Sequence, residues 1–251
     1  MACSLSKRFA PLRLTSMYIG YNFQTMKLTY YGHSCFAIDT GEATLLFDPF
    51  ISGNELAQSV NIENIKPDFI LVSHGHSDHI NDCVTIAKRS GAKVISSWEI
   101  HEWLNRQGVS NTHPMNTGGK WNFGPFVARC TVAQHSSGLP DGTYGGNPLG
   151  FIITVKDKNI YYSGDTALTM DMQLIPRWAV PDLAILPIGD NFTLDATDAA
   201  EAAKMVRCKK VMGVHYDTFG YIKIDHDSAR ETFRKEGIEL VLLDIGGTLT
   251  I

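Results

Sequence analysis

Phe69-Ile70-Leu71-Val72-Ser73-His74-Gly75-His76-Ser77-Asp78-His79 sets an apolar run directly before a cluster of histidine and aspartate. Residues 68–73 read as a short buried strand. Residues 74–79 read as a turn leading into a helix that runs through Arg89 and is closed by Gly91. Residues two apart in an extended segment point the same way, so His74 and His76 are placed to grip one ion. Asp78 and His79 open the next turn and helix and can face a second ion. Imidazole and carboxylate at this spacing suit zinc or a related divalent cation. The competing reading is a hydrogen-bonded polar turn. It is disfavoured because chance rarely assembles HxHxDH in a chain with 9 histidines.

Outward from this motif the pattern alternates between strands and helices. Upstream, residues 26–31, 35–39 and 43–48 read as three strands joined by turns at Gly32 and Gly41. Downstream, strands are expected at 93–97, 126–134, 151–156, 159–163, 182–188, 211–214 and 239–243. Helices are expected at 99–107, 195–206 and 227–235, with Asp195 or Thr197 as a cap for the second of these. Residues 110–125 read as one long loop. Residues 135–150 are rich in glycine and proline. Hairpins at the start followed by strand–helix alternation fit two packed sheets covered by helices. The last stretch, Asp244-Ile245-Gly246-Gly247-Thr248-Leu249-Thr250, looks like an aspartyl-phosphate loop but has glycine where a second aspartate is needed, so it reads as a terminal strand and turn.

The HxHxDH motif resembles the metallo-β-lactamase superfamily, and further segments match it in order. Asp48 in Phe47-Asp48-Pro49 matches the acidic residue ending an early strand. His135 in Gln134-His135-Ser136-Ser137 matches the third histidine, Asp165 in Ser163-Gly164-Asp165-Thr166 the bridging aspartate, and His215 in Gly213-Val214-His215-Tyr216 the last histidine. Tyr31-Gly32-His33-Ser34-Cys35-Phe36 and Leu186-Pro187-Ile188-Gly189-Asp190 bring the chain closer to the small single-domain metal-dependent hydrolases near the ascorbate-6-phosphate lactonases. The resemblance implies a four-layer αββα sandwich of the α/β class. It implies two divalent ions, zinc first with manganese or iron as alternatives. His74, His76 and His135 would take one ion, Asp78, His79 and His215 the other, and Asp165 would bridge them. The implied reaction is attack on an ester-like bond, a lactone or phosphodiester of a small metabolite, by a hydroxide shared between the ions. Asp78 is the catalytic candidate, able to orient that hydroxide or pass a proton. Asp48 is the expected outer partner of a ligand ring, with Ser73 and Thr166 as further candidates.

Other residues carry open readings. His33 is either close to the site or a satisfied turn histidine. Asp190 and Asn191 end a buried strand, where loops often carry function. Tyr216, Asp217 and Phe219 line the pocket or pack in the core. Ser136 and Ser137 begin either a substrate loop or a simple connection. His101, His113 and His226 match no motif and read as structural.

Composition bounds the partners. The chain has 251 residues, 44% hydrophobic, with net charge −4. An acidic balance disfavours a nucleic acid, and a small-molecule substrate is preferred, phosphorylated or a lactone. A homo-oligomer is left open. Five widely spaced cysteines without CxxC read as reduced thiols acting as small hydrophobes, and no apolar run is long enough to span a bilayer, so a cytoplasmic protein is expected. Residues 1–25 lack the regular pattern and any secretory signal, and are expected to be an extension ahead of a hydrolase domain at 26–251. The alternatives are a metal-dependent oxidoreductase on the same scaffold and a nuclease-type phosphodiesterase. Glutamate at the position of His76 and a flavin domain would mark the di-iron reductases of the superfamily, and neither is present.

Overall fold

Strand β1 (Lys27–Gly32) buries Leu28 and Tyr30 and turns Lys27 outward, the period-two pattern of a strand with one face on a core. The computed structural model describes residues 25–251, so the expected extension lies outside the described residues except for Thr25. From β1 the sheet continues antiparallel through β2 (Cys35–Asp39) and β3 (Thr44–Phe47). It then runs parallel through β4 (Phe69–Leu71), β5 (Lys93–Ser97) and β6 (Thr112–Met115). Helices α1 (Ser77–Ile80) and α2 (Cys83–Ser90) cross from β4 to β5, and α3 (Trp98–Arg106) crosses from β5 to β6. The second sheet repeats the plan. Strands β7 (Lys120–Asn122), β8 (Val127–Val132), β9 (Leu149–Val155) and β10 (Lys158–Tyr162) are antiparallel. After α4 (Ile175–Trp178) come parallel β11 (Leu183–Pro187), α5 (Ala196–Met205), β12 (Lys210–Val214), α6 (His226–Lys235) and β13 (Glu239–Val241). Strand β14 (Thr248–Thr250) returns to pair with β1, giving two seven-stranded sheets.

The sheets face each other across a core that includes Phe36, Phe47, Phe151 and Tyr162, with Phe36 and Phe47 stacked at 4.5 Å. A second apolar layer joins the outer face of the first sheet to α2 and α3, and a third joins the second sheet to α5 and α6. This is the expected αββα sandwich. Cys35, Cys83, Cys130 and Cys208 are free and buried, as small hydrophobes are. Among the described residues no helix is long and apolar enough to cross a membrane.

Two expectations change. The long loop at 110–125 contains β6 and β7. Both are sheet edges, β6 carries Pro114 and β7 is fully exposed, so neither shows a buried strand's alternation. The single helix after the motif is broken at Asn81–Asp82. The Asp82 carboxylate accepts the Ile51 and Ser52 amides at 2.6 and 2.9 Å and the Ser52 hydroxyl, tying the chain to the loop after β3. That break leaves Asp78 and His79 on a single turn of their own. Gly91 ends α2 in the left-handed conformation expected of it, φ 73°, and Asp195 caps α5 through the Asp198 amide.

Candidate metal centre

The expected ligands meet at one edge of the sandwich. His74, His76, Asp78 and His79 follow β4 on the first sheet. His135 follows β8, Asp165 follows β10 and His215 follows β12 on the second. Backbone hydrogen bonds clamp the two edges together: His215 N–H donates to the His33 carbonyl at 3.0 Å, and Leu149 N–H to the Ser73 carbonyl at 2.9 Å. Non-glycine residues with positive φ gather in these loops, among them His33 (54°), Asp48 (39°) and His215 (56°). Such strain persists where surrounding contacts over-determine the backbone, as they do at functional sites.

Two groups of donor atoms result. His74, His76 and His135 form one; His33, Asp78, His79 and His215 form the other, the atoms within each lying within 4.8 Å of one another. Asp165 Oδ2 lies between the groups, 2.9 Å from His215 Nε2, 3.2 Å from His79 Nε2, 3.7 Å from His135 Nε2 and 4.0 Å from His74 Nε2. His79 Nε2 and Asp165 Oδ1 are buried polar atoms without a hydrogen-bond partner. Buried polar groups are rarely left so. Imidazole nitrogens converging on one oxygen of a buried carboxylate whose other oxygen is unpartnered fit a divalent cation.

Asp48 explains how the rings are aimed. Fully buried, it accepts Ser73 N–H at 2.7 Å on Oδ1. On Oδ2 it accepts Ser73 Oγ at 2.5 Å, Tyr162 OH at 2.6 Å and His79 Nδ1 at 2.8 Å. Ser73 Oγ, spending its proton on Asp48, accepts from His74 Nδ1 at 2.9 Å. Both rings therefore carry their proton on Nδ1 and turn a lone pair on Nε2 toward the centre. Asp48 and His74 and His79 also lie close enough to be read as a third donor group, but the Asp48 oxygens are already filled by these donors. Thr166 does not touch a ring. Its hydroxyl accepts the Gln134 amide at 3.0 Å and so holds the His135 loop against the Asp165 loop.

Electrostatics follow from burial and proximity. Burial, with His79 beside it, holds His74 well below the usual imidazole range. Burial works against the charge of Asp165, yet His215 and His79 hold it well below the usual carboxylate range. Burial and the neighbouring His215 bring His33 down to about 4. A neutral His33 then donates Nε2–H to Asp78 Oδ2 at 3.1 Å and accepts from the Thr218 hydroxyl on Nδ1 at 3.0 Å. His33 thus sits inside the centre and steadies Asp78, which resolves its open reading. Burial opposes the charge on Asp78 as well and is the largest single influence, but the His33 hydrogen bond together with the nearby His79 and His33 rings outweighs it and holds the carboxyl well below the usual carboxylate range.

The remaining candidates separate. Ser137 Oγ accepts the Gly75 amide at 3.0 Å and fixes the loop between His74 and His76, while Ser136 Oγ lies 3.3 Å from His76 Nε2. Asp217 holds His226 at 2.7 Å and the Ile224 amide at 3.1 Å, and Tyr216 packs in the outer core, so both are structural. Phe219 lines a cleft that opens on Asp78. Asp190 and Asn191 do not line it, but the next residue, Phe192, does. Phe50, Glu55, Phe192 and Tyr221 carry no signal in the sequence. They are scattered along the chain and share no spacing that would flag them. His101 and His113 lie away from the centre, against Thr112 and against Trp121 and Phe123.

Gly189 shows how tightly the last histidine is held. A Cβ there would collide with the His215 carbonyl oxygen, which is backbone and has no flexible tip to move. Gly189→Ala is expected to push β12's end outward and destabilise the fold by about 1–3 kcal/mol, a fall of several degrees in Tm. A melting curve superimposable on the parent's would show that the loop gives way without cost.

Comparison with known proteins places this geometry. The family profile described as the beta-lactamase superfamily domain matches residues 43–216. A UPF0173 metal-dependent hydrolase of Christiangramia forsetii is 48% identical over 227 residues, covering 90% of this chain and 100% of its own. Another from Thermus thermophilus is 39% identical over 226 residues, covering 90% of this chain and 99% of its own. Among solved structures, Igni18, a metallo hydrolase from Ignicoccus hospitalis, superposes with a TM-score of 0.83 at 33% identity, over 90% of this chain and 98% of that one. An isothiocyanate hydrolase from Delia radicum gut bacteria superposes with a TM-score of 0.74 at 19% identity, over 90% and 99% of the two chains, a likeness of fold.

Proposed function

The chain belongs to the metal-dependent hydrolases of the beta-lactamase superfamily, and from that premise we propose that it is a dinuclear enzyme cleaving an ester-like bond in a small molecule. His74, His76 and His135 would hold one ion and Asp78, His79 and His215 the other, with Asp165 shared. The observation that carries this reading is the position of Asp165 Oδ2, within 2.9–4.0 Å of nitrogens from both groups. The nitrogen-rich donor set favours zinc, with manganese or iron as alternatives. Bound here, a pair of divalent ions supplies Lewis acidity and lowers the pKa of a coordinated water toward neutrality.

The chain's own residues do the rest. Asp48 and Ser73 fix the tautomers of His79 and His74. Asp78, its side chain 26% exposed, is the ligand candidate that lines the cleft, where it is placed to orient the attacking water or hand a proton to the leaving group. His33 holds Asp78 from behind through one hydrogen bond and leaves its other face to the cleft.

Metal analysis of the metal-replete protein is expected to find two equivalents per chain. Chelation is expected to abolish hydrolysis across a panel of esters, lactones and phosphodiesters, and added zinc, manganese or iron to restore it. Trace metal alone in the replete protein, or metal-dependent oxygen consumption with no hydrolysis, would overturn the reading.

A further inference from the structure

The cleft beside Asp78 has a volume of about 760 Å³, within the range of small-molecule sites. Its wall is aromatic. Phe219 lies 5.4 Å from the His33 ring and 6.3 Å from Phe50, and Phe192 meets Tyr221 edge-on at 6.4 Å, so a run of rings leads from the mouth to the hydrogen-bonded pair His33–Asp78. Phe192 is 51% exposed, Phe219 38% and Tyr221 78%, an unusual concentration of wet aromatic surface at one opening. The loops presenting these rings are strained. Asp190 and Asn191 are consecutive left-handed residues (φ 61° and 54°) immediately before Phe192, and Asp217 (φ 62°) precedes Phe219. Both loops return to the interior, at buried Leu194 and Ile222, and between those anchors they carry the rings outward.

Charge narrows the occupant. Among the described residues lining the cleft, Asp78 and Glu55 are charged and none is Lys or Arg. The glycine-rich cleft on the other flank, where His135 and Ser136 stand, also lacks Lys and Arg among its described lining. A phosphate or carboxylate remote from the scissile bond would meet no cation among the described residues lining either cleft and would face Glu55, so the phosphorylated alternative of the expected metabolite finds no anchor in them.

Resting on the hydrolase reading above, we propose that this cleft selects an uncharged ester or lactone carrying an aromatic group, which lies against Phe192, Phe219 and Tyr221 while the scissile carbonyl reaches the centre beside Asp78. Water supplies the oxygen that bonds to the carbonyl carbon, the bond from that carbon to the alkoxy oxygen breaks, and the departing oxygen takes a proton. One water is consumed and nothing is oxidised or reduced.

The test compares the metal-loaded full chain on phenyl acetate, on an aliphatic acetate, and on the phenyl ester bearing a para-carboxylate or para-phosphate. The neutral aromatic ester is expected to have the lowest KM. The double variant Phe192→Ala, Tyr221→Ala is expected to reduce its preference over the aliphatic ester about tenfold, chiefly through KM. Glu55→Arg is expected to lower KM for the anionic esters. Independently of turnover, saturation-transfer NMR of metal-depleted protein is expected to show phenol and phenyl acetate bound, with the signal lost in the double variant. Preference for an anionic ester, or an unaltered aromatic preference and NMR signal in the double variant, would overturn the proposal. So would light scattering showing that the double variant splits an oligomer while ligand binding persists, because the rings would then be a subunit interface. Absence of turnover on every ester with the NMR contacts intact would sink the ester-cleaving reading and leave the selectivity of the cleft standing.

Discussion

Asp165→Ala is expected to strip both ions and abolish turnover, while the far-ultraviolet circular dichroism stays that of the parent. Among the described residues its carboxylate is the one group whose oxygen approaches nitrogens of both donor groups, at distances from 2.9 to 4.0 Å. Removing an outer partner of a ligand costs about 10–100-fold in metal affinity or activity. A ligand shared by two ions is expected to exceed that at each, so a loss of roughly a thousand-fold or more in kcat/KM is the anticipated scale. Removing a buried anion from among imidazoles does not strand a permanent charge, because a ring that carries its proton on Nδ1 alone, as His74 and His79 do, is neutral. The backbone is therefore expected to survive. His215→Ala provides the contrast, emptying mainly the second position. Metal analysis finding one full equivalent retained in Asp165→Ala would show that the aspartate serves a single ion.

The second large effect belongs to a residue that would touch no ion. Asp48→Ala is expected to lower stability by about 3–5 kcal/mol and to weaken metal binding by about 10–100-fold. The methyl group leaves Ser73 N–H, Tyr162 OH and His79 Nδ1–H without an acceptor in a fully buried setting. It also frees both tautomers of His79 and, through Ser73, of His74. Asp48→Asn is expected not to rescue, since the amide nitrogen meets a donor in either orientation: Ser73 N–H on one side, or Tyr162, Ser73 Oγ and His79 on the other. Denaturant unfolding and zinc competition titration check both halves. A variant with parental metal affinity would show that packing alone aims the rings.

The motif at residues 73–79 is legible in the sequence because its chemistry is local: four side chains within six residues need no tertiary information to be seen as a cluster. His135, Asp165 and His215 are legible by order and resemblance alone, since each comes from a different strand of the second sheet and nothing in its own neighbourhood marks it. The strand positions follow from alternation at β1 and from short apolar runs such as β4 and β11, and both signals fail where burial fails, at exposed β7 and at β6 with its proline. The helix after the motif reads too long because the break is made by Asp82 reaching for amides thirty residues away, a contact invisible to local propensity. The aromatic cleft escapes the sequence for the same reason. Phe50, Phe192 and Tyr221 are ordinary residues until the loops bearing them are brought side by side.

Ligand candidates drawn from both sheets have a consequence for the chain's biosynthesis. The centre does not exist in the first half of the molecule, because His135, Asp165 and His215 all follow the β7 edge of the second sheet. A nascent chain therefore presents only the cluster around His74 until its second sheet has docked on the first. With the proposed ligand set, complete metallation would certify assembly, and an ion held across the halves would act as a reversible staple, adding to stability in proportion to the logarithm of its free concentration. Metal starvation would then loosen the seam between the sheets as well as remove the chemistry.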